Sequence, residues 1–203
     1  MQVNGIILAG GRSSRMGRNK ALLPLQGKVF LERIRQAMLP VVKDIILVSN
    51  EPECYPDWQG FLVTDIIPRR GPLSGIHAGL TVSDCHYNLV VACDMPFVST
   101  EHLERLRKEA EGYDVVVPQH GDYLQPLFAV YSRNCIAAIE NCLLRDIRKI
   151  IAFYPQVRVK FLPVERLGDP AEMEQVFFNV NTPADWQQAR QLAGEIEEEK
   201  RHE

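Results

Sequence analysis

Residues 6–20 read Ile-Ile-Leu-Ala-Gly-Gly-Arg-Ser-Ser-Arg-Met-Gly-Arg-Asn-Lys, an apolar run that breaks into a loop with three glycines, two serines and four cations. Glycines let backbone N–H groups approach a ligand closely, and the cations supply fixed positive charge. This combination suits a polyphosphate. The loop is therefore predicted to bind one at the end of the first strand.

The loop differs from the two commonest nucleotide-binding fingerprints. Gly11-Arg12 stands where a Walker loop needs Lys-Ser/Thr, and the dinucleotide pattern G-x-G-x-x-G is absent. The plain alternative is a flexible turn after a strand. However, a connector of roughly a dozen residues exceeds the usual strand-to-helix loop of about 2–6, and long ordered loops often carry function.

Composition limits the class of protein. With 203 residues and 46% hydrophobic content, the chain can form one sizeable domain. A net charge of −3 argues against a nucleic-acid partner. The positive charge of the loop is therefore local, and we expect it to bind a small ligand. No apolar run approaches the roughly 18 residues of a membrane span, and an early strand leaves no room for a signal peptide. We therefore expect a soluble, cytoplasmic protein with no membrane partner.

The five cysteines and five histidines form no recognisable site. No C-x-x-C pair and no H-E-x-x-H spacing occurs, so a disulfide framework and a zinc site are both unexpected. The cysteines are predicted to be reduced and mostly buried. The histidines are predicted to serve packing or to lie at the surface.

Short β-like runs alternate with amphipathic stretches, which is typical of an α/β layer fold. This predicts a three-layer, Rossmann-like fold with a mostly parallel, mixed central sheet flanked by helices on both faces. Apolar residues recur at helical spacing within 30–38, 103–110 and 136–143, and Thr182-Pro183-Ala184-Asp185 resembles a helix start. The predicted strands are residues 3–8, 45–49, 61–64, 87–93, 115–118, 127–131, 157–162 and 176–178.

The chain shows no internal repeat and no linker. Residues 1–194 are therefore predicted to form a single domain. Residues 195–203 are charged and lack an apolar stripe, so we expect a frayed, solvated tail.

Polar groups follow four of the predicted strands: the glycine loop, Asn50, Asp65 and Asp94. In open α/β sheets, ligands bind beyond the carboxyl ends of the strands. If the four strands are parallel, these groups lie at one edge of the sheet. Asn50 and Asp65 could read a purine edge or a ribose hydroxyl, or could simply be turn residues.

Asp94 is the sharpest candidate because it follows a run typical of a buried strand and precedes Met95-Pro96, which forces extended backbone. A carboxylate beside a triphosphate suits Mg²⁺, which usually takes one or two protein carboxylates together with phosphate oxygens. The alternative is an aspartate that caps a loop.

Two later segments complete the candidate site. Residues 69–76 form a second Gly/Pro-rich helix start, which could offer free N–H groups to a ligand or could be an ordinary helix start. Gln125, Asn179 and Asn181 lie near predicted strand or helix ends. These uncharged groups suit a second, polar substrate.

Four motifs in this order closely resemble the molybdenum cofactor guanylyltransferase family, within the nucleotidyltransferase superfamily. The likeness runs to about Trp186, and the motifs are Leu8-Ala9-Gly10-Gly11-x-Ser13-x-Arg15-Met16-Gly17-x-x-Lys20, Gly71-Pro72-Leu73-Ser74-Gly75-Ile76, Cys93-Asp94-Met95-Pro96 and Asn179-Val180-Asn181-Thr182-Pro183. The resemblance implies transfer of GMP from GTP to the molybdenum-bound molybdopterin, with release of pyrophosphate. It also implies Mg²⁺ on Asp94 and GTP binding by Leu8, Ala9, Gly10, Lys20, Asn50, Asp65 and Asp94.

The resemblance also suggests catalytic roles. We expect Lys20 to hold the triphosphate, Arg15 and Lys20 to offset charge that builds toward pyrophosphate, and Asp94 to hold the metal. Gln125, Asn179 and Asn181 are the candidates for the pterin substrate, and protein partners could deliver or receive the cofactor.

Some features leave alternatives open. Many family members have aspartate before the motif lysine, where this chain has Asn19, and we expect Lys20 to remain competent. The cytidylyl relatives carry a different first motif, which favours guanine. The alternatives are a transferase that uses CTP or acts on a sugar or polyol phosphate, and a non-catalytic nucleotide-binding module.

Overall fold

The computed structural model describes the backbone of residues 1–10, 19–68 and 71–202, and the side chains of these residues up to Gly194. Ten strands are described: β1 (Val3–Leu8), β2 (Pro24–Leu25), β3 (Lys28–Val29), β4 (Ile45–Val48), β5 (Phe61–Val63), β6 (Tyr87–Ala92), β7 (Val115–His120), β8 (Tyr123–Leu124), β9 (Phe128–Ser132) and β10 (Val159–Pro163). Six α-helices accompany them: α1 (Phe30–Met38), α2 (Pro72–Val82), α3 (Thr100–Lys108), α4 (Ile136–Leu144), α5 (Pro170–Val176) and α6 (Pro183–His202).

Eight strands form one mixed sheet in the order β10-β7-β9-β6-β1-β4-β5, with β8 paired to β7. The half built from β6, β1, β4 and β5 is parallel, whereas β9 runs antiparallel to both β6 and β7. The strands β2 and β3 make a separate two-stranded hairpin. The parallel half confirms the predicted shared edge.

Helices cover both faces of the sheet because side chains alternate along each strand. On β1, Ile7 packs into the cluster that includes α1, α3 and α5, whereas Ile6 and Leu8 pack into the cluster that includes α2 and α4. These three side chains are almost fully buried. The predicted three-layer architecture is therefore confirmed.

A third apolar cluster joins the β2–β3 hairpin to α6. Leu23, Leu25 and Phe30 pack against Val180 and residues of α6. Trp186 Nε1 donates to the carbonyl of Pro24 at 3.0 Å, and Gln26 donates to the carbonyl of Ala193. We call this unit the hairpin–α6 cluster.

One predicted strand is wrong. Residues 176–178 are not extended, because Val176 is the last residue of α5 and Phe177 caps it. Asp169 accepts a hydrogen bond from the N–H of Ala171, and Pro170 occupies the first helical position, so this segment starts a helix. Val176 is therefore buried as part of a helix face.

The remaining predicted strands and helices are present with ends shifted by a few residues, while the short β2, β3 and β8 were not predicted. The predicted start of α6 is confirmed, since Thr182 Oγ1 accepts from the N–H of Asp185 and Asp185 accepts from the N–H of Thr182. The backbone of α6 continues to His202, where the sequence predicts a frayed tail. In the described part of the chain, no helix has the apolar length that a membrane crossing requires.

Candidate active site

A cleft with a volume of about 640 Å³ opens at the carboxyl ends of β1, β4, β5 and β6. Backbone hydrogen bonds hold the strand ends in register. The N–H of Cys93 donates to the carbonyl of Leu8 at 3.0 Å, and the N–H of Ala9 donates to the carbonyl of Val48 at 2.9 Å. All seven residues predicted to bind nucleotide line this cleft: Leu8, Ala9, Gly10, Lys20, Asn50, Asp65 and Asp94.

Lys20 lies between two polar groups that come from distant parts of the sequence. It begins a 3-10 turn, Lys20–Leu22, after the glycine loop. Its Nζ atom lies 2.6 Å from Asn181 Oδ1 and 3.7 Å from Asp94 Oδ2. In addition, the N–H of Val180 donates to the carbonyl of Asp94 at 3.0 Å. The loop before α6 is therefore anchored directly to the residues of the cleft.

The Asp94 carboxyl is mostly buried, and burial raises its pKa although Lys20 acts in the opposite direction. Its Oδ1 atom has no hydrogen-bond partner within the described residues. A buried carboxylate oxygen without a donor is costly unless a ligand or cation compensates it. The arrangement therefore fits a divalent cation at Asp94.

The described residues contain no cluster of three or more His, Cys, Asp or Glu side chains that could hold a metal ion. An ion at Asp94 would thus depend on oxygens from substrate and water for its other ligands. This pattern is typical of Mg²⁺ sites that bind phosphates.

Asn50 and Asp65 act as one unit at the ends of β4 and β5. Asn50 Nδ2 donates to Asp65 Oδ2 at 2.8 Å, and the N–H of Asp65 donates to Asn50 Oδ1 at 3.0 Å. The two bonds fix both side chains at the cleft. Each side chain keeps further hydrogen-bonding capacity for a base edge or a ribose hydroxyl.

The start of α2 forms another wall of the cleft, where Gly71, Pro72 and Gly75 lie. Gly71 has φ of +77°, and no side chain caps the helix. A Cβ on Gly75 would lie 3.0 Å from Leu8 Cδ2, so glycine allows this helix to approach the strand ends closely. The predicted second Gly/Pro-rich segment therefore contributes these residues to the same cleft, whereas its first two residues, 69 and 70, lie outside the described residues.

The candidates for the second substrate are placed differently from one another. Asn181 contacts Lys20 and so belongs to the site. Asn179 instead donates to the carbonyl of Phe177 within its own loop. None of these three candidates is among the described residues that line the cleft, so only Asn181 is connected to it, through Lys20. Arg15 lies outside the described residues.

Sequence reasoning did not assign Ser49, Glu51 or Leu127 to the site, although all three line the cleft. Ser49 and Glu51 flank Asn50, so the polar run after β4 was the signal that could have found them. No such signal marks Leu127, since an apolar residue at a strand start is ordinary. Asn19 also lines the cleft, and its amide accepts from the N–H of Ala21.

Comparisons with known proteins show similar sequences over most of the chain. Residues 5–159 match the family described as the MobA-like NTP transferase domain. A protein named probable molybdenum cofactor guanylyltransferase, from Pelotomaculum thermopropionicum, is 46% identical over 193 residues, which cover 95% of this chain and 94% of that protein. The molybdenum cofactor guanylyltransferase of Desulfosudis oleivorans is 38% identical over 191 residues, 92% of this chain and 94% of its own.

A solved structure shows the same fold. The crystal structure of molybdopterin-guanine dinucleotide biosynthesis protein A from Archaeoglobus fulgidus matches this chain with a TM-score of 0.83 and 30% sequence identity. The match covers 95% of this chain and 100% of that one. Similarity of fold therefore extends over nearly the whole chain.

Proposed function

The chain belongs to the MobA-like NTP transferase family, and from that premise we propose that it transfers GMP from GTP to molybdenum-bound molybdopterin. The products are the guanine dinucleotide form of the cofactor and pyrophosphate. The observation that carries the proposal is the position of Lys20, which lies beside Asp94 in the strand-end cleft and also contacts Asn181 from the loop before α6. Relatives with 46% and 38% identity that bear this activity in their names support it.

The acceptor needs no general base. An oxygen of the pterin phosphate attacks the α-phosphorus of GTP, a new P–O bond forms, and the bond to the bridging oxygen breaks as pyrophosphate leaves with the electron pair. A phosphate monoester is already largely ionised at pH 7, since its second pKa is about 6. Positioning and charge stabilisation therefore account for most of the catalysis.

Residues of the cleft divide this work between them. The backbone at Leu8, Ala9 and Gly10 and the ammonium of Lys20 bind the triphosphate. Lys20, together with Arg15, offsets the charge on departing pyrophosphate. The hydrogen-bonded pair Asn50–Asp65 binds the guanosine portion, and Asn181 contacts the pterin substrate.

Asp94 is the residue that would hold Mg²⁺, and its unpartnered Oδ1 and raised pKa support this. When bound, the ion would neutralise phosphate charge and orient the α-phosphate. The positive charge of Lys20, whose Nζ atom lies 3.7 Å from Asp94 Oδ2, reduces the repulsion between the Asp94 carboxylate and an incoming triphosphate.

The setting of the enzyme is part of the proposal. In the described residues, Cys54, Cys85, Cys93, Cys135 and Cys142 are all free thiols, which fits a reducing cytoplasm. A protein partner that delivers or receives the cofactor stays a prediction. The net charge of −3 argues against nucleic acid as a partner.

Pyrophosphate release by the purified protein tests the proposal. We expect release from GTP with Mg²⁺ only when molybdenum-bound molybdopterin is supplied, and much slower release from CTP. Equal or faster turnover of CTP would indicate a cytidylyltransferase instead. GTP binding without any pyrophosphate release would indicate a binding module.

A further inference from the structure

The hydroxyl of Tyr55 contacts both ends of the glycine loop. It lies 3.3 Å from the carbonyl oxygen of Ala9 and 2.9 Å from Asn19 Nδ2. Ala9 directly precedes Gly10, and Asn19 directly precedes Lys20. One buried hydroxyl therefore connects the backbone where the loop begins to the residue where it ends.

The hydrogen bonds of this group are chemically consistent. A tyrosine hydroxyl has one proton to donate and can also accept. It donates to Ala9 while accepting from the Asn19 amide, and Asn19 Oδ1 accepts in turn from the N–H of Ala21 at 3.0 Å. The chain of bonds runs from the 3-10 turn of Lys20 to the end of β1.

The surroundings of Tyr55 keep the hydroxyl in this role. The residue is only 5% exposed and packs in the apolar cluster that includes Ala9 and Ala21. Burial raises the pKa of Tyr55 to about 12, so the hydroxyl stays protonated across the physiological range. We call the Tyr55 hydroxyl, with its hydrogen bonds to Ala9 and Asn19, the clamp. The clamp is thus uncharged, and its hydrogen bonds do not depend on pH in that range.

We propose that Tyr55 is a positioning residue for the triphosphate: its hydroxyl fixes Asn19, and hence Lys20, relative to the Ala9–Gly10 backbone. This inference rests on the proposed function, since it assumes that both segments bind the phosphates of GTP. Tyr55 does not line the cleft within the described residues, so it acts through Asn19 and Ala9 and does not touch substrate.

The test compares Tyr55→Phe with Tyr154→Phe. Each change removes one buried hydroxyl and keeps the ring, but the Tyr154 hydroxyl bonds to that of Tyr131 in the opposite apolar cluster. For Tyr55→Phe, we expect the KM for GTP to rise about three- to tenfold, the range of one neutral hydrogen bond. The kcat and the KM for the pterin substrate should stay within about twofold of wild type.

A purely structural loss would lower kcat through a smaller active fraction and leave the KM for GTP unchanged. An unchanged KM for GTP in Tyr55→Phe, or an equal rise in Tyr154→Phe, would overturn the positioning role. Tyr154→Phe should match wild type in every kinetic constant.

Hydrogen exchange of the nucleotide-free protein separates this inference from the proposed function. Peptides that cover residues 19–25 should exchange faster in Tyr55→Phe than in wild type or Tyr154→Phe, because the clamp holds the 3-10 turn. Unchanged exchange there would show that the clamp is not formed. A wild type that does not consume GTP would instead refute the proposed function, while exchange would still decide whether the clamp exists.

Discussion

Lys20 is paired before any substrate binds, since its ammonium contacts Asn181 and lies near Asp94. A triphosphate that enters the cleft therefore exchanges these contacts for its own. Because a cation that acts on departing phosphate can contribute a factor of about 10³ or more in rate, this one side chain carries a large share of the proposed catalysis.

Lys20→Ala should lower kcat/KM for GTP by about 10³, as measured by pyrophosphate release under saturating pterin substrate. Lys28→Ala is the matched control, because Lys28 is exposed on the neighbouring hairpin and bonds to Gln36. It should leave turnover near wild type. Wild-type turnover in Lys20→Ala would refute the catalytic assignment.

Asp94→Asn should abolish most activity yet leave the protein at least as stable at neutral pH. Burial raises the pKa of Asp94, so its charged form costs stability in the folded protein, and the neutral amide removes that cost. As the pH falls through this raised pKa, Asp94 of wild type becomes protonated, and the difference in free energy of unfolding between the two proteins should narrow. Urea unfolding in steps from pH 7.5 down to about pH 4, close to the ordinary carboxyl pKa, measures this, and a less stable variant at pH 7.5 would contradict it.

At the scale of elements, α2 approaches the sheet unusually closely because glycines face β1. A Cβ on Gly79 would meet Ile6 Cγ2 at 2.7 Å and Ile6 Cδ1 at 2.8 Å. This close approach brings the start of α2 against the strand ends. The shape of the cleft therefore depends on two small residues of one helix, Gly75 and Gly79.

Gly79→Ala should destabilise the protein by about 1–2 kcal/mol, because the overpacking cost outweighs a helix-propensity gain of about 1 kcal/mol. In α6, Gly194→Ala is the control, since its added Cβ would meet nothing within 4 Å. That change should instead stabilise by about 0.5–1 kcal/mol. Thermal and urea unfolding of both variants check the opposite signs.

At the scale of the whole molecule, hydrogen bonds of Asp114 connect the ends of β7, β9 and β10, in the half of the sheet away from the cleft. It precedes β7, and its carboxylate accepts from the backbone and side chain of Arg158 and from Asn134. Burial alone would raise the pKa of Asp114, but these hydrogen bonds outweigh it and hold the pKa well below its usual range. The carboxylate therefore stabilises the fold in its charged form.

Asp114→Asn should lower the free energy of unfolding by about 1–3 kcal/mol at pH 7, since the amide cannot accept all of these bonds. A depressed folded pKa gives stability that is complete above the unfolded value of about 3.9 and is lost on further acidification. The difference from wild type should thus be constant from pH 7 to about pH 5 and shrink below about pH 4. Asp122→Asn, at an exposed position, is the control. A difference in free energy of unfolding between Asp114→Asn and wild type that grows in acid would contradict the prediction.

The sequence predicted the parallel half of the sheet and its polar edge, because β1, β4 and β6 each end in a continuous apolar run that is soon followed by a polar residue. It could not predict that Lys20 meets Asn181, since that contact spans 161 residues and depends on how α6 packs against the hairpin. The strand predicted at residues 176–178 is wrong because the β-branched Val176 and the aromatic Phe177 instead end and cap α5, where both are buried. The two-residue strands are too short to show any period.

The hairpin–α6 cluster has a consequence for how substrate preference could be altered. It is an apolar unit separate from the two main cores, yet its members Leu23 and Val180 lie close in sequence to Lys20 and Asn181, which contact each other. Under the proposed roles, grafting this unit between family members would exchange the surroundings of Asn181 while leaving the four strand ends in place. For a protein engineer, the proposed roles thus divide the molecule into an acceptor side to exchange and a nucleotide side to keep.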